Sequence, residues 1–328
     1  MHTLTRRTLL AQALAAAVAP ALAAAPARAD GYPTRPIKWV VPFLAGTGPD
    51  TTARVVAEAV GPLLGQPVVI ENKGGAAGNL GARIVANAQP DGYTWIYSSA
   101  PMAANMRMYK EPGFDALKDF RHVMRLSSSD IVVVVNAGSD IRTLDDLLAK
   151  ARAQPGVLNY SSGGVGTPSH LGVELMLSEG KARATHVPYK GASELVNAVL
   201  AGQVSFGAPI FSVAYPQIKA GKLRPLAVAG TKRNALLPQV PTLAELGMKD
   251  LVLTSWGGVS VPRGTPDAVV ARIQAAFAEA MKQPKVIAGL TDLGGHVDMQ
   301  DGTTYTRGFA QEMALTETMM KKAGIEAM

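Results

Sequence analysis

The sequence contains no cysteine among its 328 residues. Thiol catalysis, disulfide bonds and cysteine-ligated metal sites are therefore excluded. Aromatic residues make up only 5% and charged residues 17%, whereas hydrophobic residues reach 48%. This balance excludes a disordered chain, and the abundance of Ala, Val, Leu and Gly favours α/β layers of helices on sheets.

The signatures of several functional classes are also absent. No run of Lys or Arg and no basic stripe with interleaved aromatics occurs, so we expect no nucleic-acid partner. The histidines are not paired at the spacing of metal ligands and no Gly-x-Ser-x-Gly elbow is present, so we expect neither a metal site nor catalytic residues. Gly164–Ser169 is similar to a dinucleotide fingerprint, but Ser169 replaces its last glycine and Pro168 interrupts the turn. We therefore expect no cofactor.

Residues 1–29 have the pattern of an export signal. Adjacent arginines precede the apolar, alanine-rich stretch Leu9–Leu22, and small residues precede Asp30, where we place cleavage. The arginine pair resembles a twin-arginine signal, and an ordinary Sec signal stays equally open. The apolar stretch is short for a membrane span, so we expect a soluble periplasmic protein after cleavage. Without the three arginines of this segment, the net charge of +7 falls to +4, a mild bias toward anions.

The organisation of the chain predicts two lobes. A length of 328 residues is typical of about two domains. Ile37–Phe43 is a buried-strand pattern that leads through a glycine-rich turn into a helix ending at Gly65. Leu158–Ser161, another glycine-rich turn and a helix to about Leu177 repeat that design. The recurrence of strand, glycine-rich turn and helix predicts parallel strands in two lobes of related architecture.

The tryptophans occur in strand-like runs. Leu251–Val261 predicts a pair of strands with Trp256–Gly258 as the turn between them. Trp39 and Trp95 lie in two other strand patterns. We therefore predict that all three indoles belong to the core and do not stack on a ligand.

Two glycine-rich turns, Phe43–Asp50 and Gly164–His170, are candidates for anion binding. The start of a helix exposes unpaired N–H groups and a partial positive charge, and glycines let a ligand approach the main chain closely. Thr167-Pro168 supplies an N-cap and a proline suited to the first helical position, and Gly48-Pro49 plays the equivalent part in the first turn. Ordinary strand-to-helix turns have the same pattern, so both interpretations stay open.

Single polar residues beside these turns allow two interpretations each. Asp50, in the first turn of its helix, either interacts with the helix dipole, which we favour, or contacts a ligand cation. His170 is interpreted as a structural group beside the second turn. Ser98, Ser99 and His170 are residue types that occur in catalytic triads, but no local pattern in the sequence supports a triad here.

Eight motifs follow one another along the chain: Val41–Phe43 with Gly46, Asp50, Ala53 and Arg54; Gly65–Val69; Glu71–Gly81; Pro90–Thr94; Gly166-Thr167 with His170-Leu171; His186–Gly191; Lys219–Arg224; and Pro238–Thr242. In this order they resemble the Bug receptors, the TctC-like extracytoplasmic solute-binding proteins of tripartite tricarboxylate transporters. The likeness covers essentially all of the chain after the export signal. Each motif alone is modest, but their number and order make the resemblance specific.

The resemblance implies a type II periplasmic-binding-protein fold. This is an α/β fold of two lobes with central mixed sheets, a ligand cleft between the lobes and two strands that cross between them. Lobe 1 is expected from residues 30–130 and 252–328, and lobe 2 from residues 131–251. In the family, main-chain N–H groups and hydroxyls of two strand-to-helix turns hold the ligand carboxylate. On this chain the expected ligand-binding residues are Phe43, Gly46, Thr47, Gly48, Asp50, Ser98, Ser99, Asn105, Gly164, Gly166, Thr167, His170, Ala208 and Phe211, with Ala208–Ser212 forming one wall.

The chain departs from the family pattern at two places. Thr47 replaces the second of two adjacent glycines, where it adds a hydroxyl or narrows the site. Relatives that bind amino acids often carry an acid where this chain has Gly207–Phe211. Because a partner for an α-ammonium group is absent from that segment, we expect a small carboxylate ligand without an amino group.

Three functions are compatible with the sequence. The first, which we favour, is a monomeric periplasmic receptor that is not an enzyme and delivers a carboxylate to the integral membrane subunits of a tripartite transporter. The second is a ligand sensor of the same fold that signals through a membrane sensor kinase. The third is a secreted enzyme, which the lack of a nucleophile motif and of a metal site disfavours.

Overall fold

Two mixed β-sheets organise the computed structural model, which describes residues 31–165, 167–249 and 251–328. The predicted α/β fold with two central mixed sheets is confirmed. The predicted export signal, residues 1–29, lies outside the described residues. The strands are β1 Ile37–Val41, β2 Val68–Asn72, β3 Thr94–Ser99, β4 Phe120–Asp130, β5 Val132–Asn136, β6 Asn159–Ser162, β7 Thr185–Pro188, β8 Phe206–Gly207, β9 Leu223–Val228, β10 Thr254–Pro262 and β11 His296–Asp301.

Helices alternate with the strands through most of the chain. A short 3₁₀ turn, Ala76–Gly78, precedes the second helix. The helices are α1 Gly48–Leu64, α2 Asn79–Ala86, α3 Ala100–Met108, α4 Leu144–Ala153, α5 Pro168–Glu179, α6 Ala192–Leu200, α7 Phe211–Lys219, α8 Asp267–Ala280, α9 Pro284–Asp292 and α10 Gly302–Ala323.

The first lobe is built on a six-stranded sheet of order β11-β4-β10-β3-β1-β2. β1 pairs in parallel with β2 and β3, and β10 runs antiparallel between β3 and β4. β1 is apolar at nearly every position because it is covered on both faces. As predicted, α1 follows β1 and ends at Gly65, whose φ of +75° favours glycine. The helix buries Ala53, Val56 and Val60.

The second lobe is built on a five-stranded sheet of order β7-β6-β8-β5-β9. β6 is parallel to β7 and β8, whereas β5 is antiparallel to β8 and β9. The valines of β5 are buried on both faces. Beside this sheet, α4 begins with a capping box: the Asp146 N–H donates to Thr143 Oγ1 at 3.1 Å, and the Thr143 N–H donates to Asp146 Oδ2 at 2.9 Å.

The predicted turn at Trp256–Gly258 is wrong. These residues lie inside β10, a single strand that pairs with both β3 and β4. A Cβ on Gly257 would collide with the Tyr97 ring, and one on Gly258 would collide with the Met124 carbonyl. The glycines therefore permit close packing and a β-bulge, which sequence patterns do not distinguish from a turn.

The predicted core positions of the three tryptophans are confirmed. Trp39 and Trp95 have no exposed surface and Trp256 is 5% exposed. The Trp39 ring meets Phe277 of α8 edge-on at 5.2 Å between ring centroids. The indoles thus fill the first lobe and do not line a cleft.

One residue joins the two sheets where β4 runs into β5. The Ile131 N–H donates to the Leu253 carbonyl at 3.3 Å, and the Ile131 carbonyl accepts from the Ala229 N–H at 2.8 Å. The Leu253 N–H donates to the Ala229 carbonyl, also at 2.8 Å, just before β10 begins. The passage between the lobes is therefore continuous hydrogen-bonded backbone. The helix α10 adds a second connection, because it packs against α3 and β4 and also against α5.

Candidate functional site

The parallel strands place several loops at one edge of each sheet. β1 and β3 are parallel neighbours, so the turn after β1 and the start of α3 lie at the same edge of the first sheet. β6 and β8 are parallel neighbours in the second sheet, so the starts of α5 and α7 lie together there. The carboxyl edge of a parallel sheet is where α/β proteins bind ligands.

The two edges meet at the starts of α1 and α7. A Cβ built on Gly48 would lie 3.6 Å from the Ser212 Oγ. Gly294, in the loop before β11, lies against the same helix start, since a Cβ there would be 2.8 Å from the Ser212 Cα and from the Phe211 ring. These contacts bring the first glycine-rich turn, on the first lobe, against the segment predicted to form a wall on the second.

Asp50 organises the first turn. Its side chain is 2% exposed. Oδ2 accepts from the Gly46 N–H at 2.8 Å, Oδ1 accepts from Asn72 Nδ2 at 2.9 Å, and Arg54 Nε donates to both oxygens at 3.1 Å. The Asn72 amide also donates to the Phe43 carbonyl at 3.1 Å. The Asp50 carboxylate therefore holds the turn in shape, and its acceptor positions are occupied by donors from the protein itself.

The pKa shifts of Asp50 and Arg54 agree with this structural role for Asp50. Burial raises the pKa of its carboxyl group, but hydrogen bonds from Arg54, Gly46 and Asn72 outweigh burial and hold the pKa below its usual value. The same pair raises the pKa of the Arg54 guanidinium, mainly through the hydrogen bond to Asp50. Asp50 therefore stays ionised at neutral pH.

The start of α1 differs by one residue from the prediction. Thr47, and not Gly48, occupies the N-cap position, so Gly48 and Pro49 are the first two helical residues. The Thr47 hydroxyl donates to the Leu44 carbonyl at 2.7 Å and makes no cap to its own helix. Gly46 has a φ of +79°, which favours glycine at this point of the turn.

Hydroxyl groups hold the described residues of the second turn, Ser162–Val165 and Thr167, in the second lobe. The Gly164 carbonyl accepts from the Thr167 hydroxyl at 2.7 Å, and the Gly163 N–H donates to Ser169 Oγ at 3.0 Å. Thr167 is the N-cap and Pro168 the first helical residue, as predicted, but the Thr167 hydroxyl does not cap the helix. Gly164 has a φ of +125°. Gly166, another predicted ligand-binding residue, lies outside the described residues.

His170 lies at the end of a column of stacked rings. It stacks on His186 with ring centroids 4.0 Å apart and the planes 17° from parallel. His186 in turn stacks on Tyr160 at 4.9 Å, and Tyr160 stacks on Phe206 at 5.5 Å. Burial lowers the pKa of His186 to about 4, and burial together with the neighbouring His186 lowers the pKa of His170 to about 4. Both imidazoles are therefore neutral at pH 7.

Three predicted ligand-binding residues of the first lobe, Ser98, Ser99 and Asn105, are buried. Ser98 Oγ lies 3.0 Å from the Tyr305 hydroxyl and accepts from Ser260 Oγ at 2.6 Å. Asn105 Nδ2 donates to the Ala77 carbonyl at 3.0 Å. Ser99 is the N-cap of α3, and its buried Oγ has no hydrogen-bond partner among the described residues.

Ala208 and Phe211 line the second lobe from inside. Ala208 is 2% exposed and Phe211 has no exposed surface. The Phe211 ring stacks on Tyr215 at 5.1 Å. Ligand contacts by these two side chains stay a prediction, and the neighbouring Ser212 adjoins Gly48 of the first lobe.

One property is shared by three of the helix starts. Thr47, Ser99 and Thr167 are hydroxyl residues at N-cap positions, and none of them caps its own helix through its side chain. The N–H groups of a first helical turn have no partner within the helix, and helix starts carry a partial positive charge. The site can therefore hold an anion with main-chain N–H groups of α1, α3, α5 and α7.

Several residues that shape the site were not among the predicted ligand-binding positions. Asn72 closes the first turn, Ser162 and Ser169 close the second, and His186 contacts both Ser162 and His170. The motifs that contain Asn72 and His186 were visible in the sequence. Nothing in the sequence indicates which side chain each of them meets.

Two open grooves lie elsewhere on the surface. One lies between the end of α1 and β2 and is lined by Gly61, Pro62 and Val68 among others, and the other lies beside α7 and β9. Neither Gly48 nor Ser212 lines either groove. Within residues 31–165, 167–249 and 251–328, no group of three or more His, Asp or Glu side chains is placed to hold a metal ion. In the same part of the chain no helix is long and apolar enough to cross a membrane.

Comparison with protein families gives a match over most of the chain. Residues 52–325 match the family described as "Tripartite tricarboxylate transporter family receptor". Among curated proteins, Protein BugT of Bordetella pertussis is 33% identical over 310 residues, which cover 94% of this chain and 95% of BugT.

Solved structures agree in fold. Protein Rpa4515 of R. palustris, solved with adipate, has a TM-score of 0.85 and 31% identity, and the match covers 90% of this chain and 100% of that protein. MatC (Rpa3494) from Rhodopseudomonas palustris, with bound malate, has a TM-score of 0.81 and 30% identity over 88% of this chain and 99% of MatC. The two-lobed fold implied by the sequence motifs is confirmed.

Proposed function

The chain belongs to the tripartite tricarboxylate transporter family of receptors, and on that premise we propose that it binds a small carboxylate between its lobes and delivers it to the integral membrane subunits of such a transporter. The observation that carries this proposal is the meeting of the helix starts of the two lobes at Gly48 and Ser212. Helix starts attract anions. A carboxylate held between α1 and α7 would contact both lobes at once.

Lobe closure is the working step of this proposal. A ligand that contacts both lobes favours the closed form by its differential affinity for the closed and open forms. The closed form then presents the surface that the membrane subunits recognise. The lobe boundaries that we propose are residues 30–130 with 252–328, and residues 131–251, as the family resemblance implies.

We propose a dicarboxylate without an amino group as the ligand class. Relatives of 30% and 31% identity were solved with malate and adipate, which are both dicarboxylates. Asp50 is the one acid in the first turn, and its oxygens already accept from Gly46, Arg54 and Asn72. An α-ammonium group would therefore find no available carboxylate partner there. No acid occurs in Gly207–Phe211 either.

The proposal also covers the setting of the protein. We propose export to the periplasm with cleavage before Asp30, action as a monomer, and no chemical conversion of the ligand. The alternative in which the same fold signals through a membrane sensor kinase needs the same site. It differs only in the membrane partner, so co-purification with either class of membrane protein separates the two.

The test is a thermal-shift screen of residues 30–328 against malate, adipate, citrate, aromatic carboxylates, glutamate and aspartate. A ligand at 100 times its dissociation constant stabilises the native state by about 2.7 kcal/mol, which is a readily measured shift. We expect a selective shift with dicarboxylates, confirmed by calorimetry. A shift with glutamate or aspartate alone would overturn the ligand class, and no shift with any acid would overturn the carboxylate site. Conversion of a bound acid, followed by NMR, would show an enzyme.

A further inference from the structure

The motif His186–Gly191 lies alongside the second glycine-rich turn. Its strand β7 pairs with β6, with Ser162 opposite Pro188. The Tyr189 N–H donates to the Ser162 carbonyl at 3.0 Å. A Cβ on Gly164 would lie 3.4 Å from the Tyr189 carbonyl. The motif is therefore a wall behind the turn that is proposed to bind the anion.

The Ser162 hydroxyl connects this wall to the turn. The Gly164 N–H donates to Ser162 Oγ at 3.1 Å. The same oxygen lies 2.6 Å from His186 Nε2 and 3.1 Å from the Gly164 carbonyl. A hydroxyl has one hydrogen to donate, so Ser162 cannot donate to both neighbours at once.

Geometry favours the histidine as the acceptor of that hydrogen. The contact with His186 Nε2 is the shorter one. The Gly164 carbonyl already accepts from the Thr167 hydroxyl at 2.7 Å and from the Thr167 N–H at 3.3 Å. Directing the hydrogen to His186 fixes the rotation of the Ser162 hydroxyl and leaves its lone pairs to accept from the Gly164 N–H. Gly164 has a φ of +125°, so this hydrogen bond holds the turn at a glycine-specific conformation.

The ring column fixes the imidazole that accepts this hydrogen bond. His186 is held between Tyr160 and His170 at 4.9 and 4.0 Å. Its plane cannot rotate without separating these rings, so Nε2 is kept at Ser162. The column starts at Phe206, which is fully buried in the second lobe. His186 is therefore held in place by rings that belong to the core.

We infer that His186 is a positioning residue for ligand binding, which acts through Ser162 to hold Gly164 of the second glycine-rich turn in the conformation that binds the anion. This inference rests on the proposed function, because the turn must bind the ligand for its shape to matter. His186 itself contacts no ligand in this scheme. Its contribution to affinity comes from the hydrogen bond, and its contribution to stability comes from ring stacking.

Two substitutions separate these contributions. His186→Gln retains an acceptor near the position of Nε2 and loses the stacked ring, whereas His186→Phe retains the ring and loses the acceptor. We expect His186→Phe and Ser162→Ala each to weaken binding of the best dicarboxylate about tenfold, the size of one lost hydrogen bond. We expect His186→Gln to bind within about twofold of the unchanged protein despite a lower melting temperature.

A double substitution tests the pathway. If His186 acts only through Ser162, the variant with both His186→Phe and Ser162→Ala binds no more weakly than Ser162→Ala alone. Additive losses would overturn the inference. Ser205→Ala is the matched control, because Ser205 Oγ donates to Asn159 Oδ1 at 3.0 Å at the opposite end of β6. We expect that control to lower stability without changing affinity.

The outcomes distinguish failure of the inference from failure of the proposed function. If the unchanged protein binds no carboxylate, the proposed function fails. If it binds and His186→Phe retains full affinity while His186→Gln loses it, the histidine is a core ring only and the inference is wrong. Should a variant fold poorly, nitrogen NMR of the unchanged protein reports on the same bond. We expect the His186 Nε2 resonance to be that of an acceptor before and after ligand addition, and a protonated Nε2 would overturn the scheme.

Discussion

Gly48 on the first lobe and Ser212 on the second stand face to face, and a Cβ on Gly48 would lie 3.6 Å from the Ser212 Oγ. Alanine fits at this distance in the absence of a ligand, and Gly48 does not have a positive φ. A methyl group there would nevertheless occupy space between the two helix starts. The glycine therefore determines how much room a ligand has between the lobes.

Gly48→Ala should weaken ligand binding while leaving the fold intact. We expect affinity to fall about tenfold or more, a change of about 1.4 kcal/mol, because the added methyl group would occupy space that the ligand needs between the helix starts. Calorimetry with the best dicarboxylate measures the change. Gly308→Ala, within α10 and with nothing within 4 Å of its Cβ, is the control and should leave affinity unchanged. Equal affinity of Gly48→Ala and the unchanged protein would contradict a ligand site at this contact.

Asp50→Ala should destabilise the protein. It removes the acceptor for Arg54, Asn72 and the Gly46 N–H, and we expect a loss of about 2 kcal/mol or more. Urea denaturation at pH 7 checks this. The exposed pair of Asp140 and Lys150 supplies the control, since Asp140→Ala should leave stability almost unchanged.

The same carboxylate should make the protein sensitive to acid. The pKa of Asp50 is lowered in the folded state, so its contribution is present above the unfolded pKa of about 3.9 and is lost as the pH falls through the folded value. Asp50→Ala should therefore flatten the fall of stability below about pH 4. An unchanged acid slope in the variant would argue against this role.

Thr167→Ala should weaken ligand binding by about 1 kcal/mol or more, since it removes the hydroxyl that donates to the Gly164 carbonyl. Thr143→Ala is the matched control. Thr143 is an N-cap that does cap its helix, with the Asp146 N–H donating to its hydroxyl, and it lies at the start of α4. We expect Thr143→Ala to reduce stability by about 1 kcal/mol without affecting affinity. If Thr167→Ala behaved in the same way, Thr167 would be a structural residue only.

Stability should also fall between pH 6.5 and about pH 4. Burial lowers the pKa of His170 and His186 to about 4 and that of His122 to about 3. Because the unfolded chain takes up protons on these groups near pH 6.5 and the folded chain does not, stability is full above that pH and decreases as the pH falls. The slope is at most about 1.4 kcal/mol per pH unit for each histidine, and the half-buried His186 contributes less. Denaturation curves across this range test the prediction, and His186→Gln should reduce the slope.

The sequence predicted the local elements well where apolar periodicity and turn residues agree. The helix after β1 ends at Gly65 as predicted, and Thr167-Pro168 starts α5 as predicted. Both predictions rest on local signals, because the residues that start a helix and the glycine that ends one act on residues adjacent to them in the sequence. At the start of α1 the same reasoning was wrong by one residue, since Thr47 is the N-cap and Gly48 lies inside the helix.

Apolar periodicity and turn residues did not predict contacts between residues that are far apart in the sequence. Gly257 and Gly258 were predicted to form a turn, but they lie in β10 because Tyr97 and Met124 leave no room for a Cβ. Asp50 was interpreted as a helix-dipole residue with ligand contact left open. In the structure its partners include Asn72, which no local pattern connects with it. Residues that meet across elements need the fold before their chemistry can be assigned.

The single-residue junction at Ile131 has a mechanical consequence. A flexible linker would let the two lobes rotate freely against each other. Here, backbone hydrogen bonds connect Ile131, Ala229 and Leu253. These hydrogen bonds oppose free rotation of one lobe against the other, because such a rotation would break them and leave main-chain groups without partners. On the proposed function, closure of the lobes on a ligand would therefore be a bending movement centred on Ile131, Ala229 and Leu253, and not a free rotation.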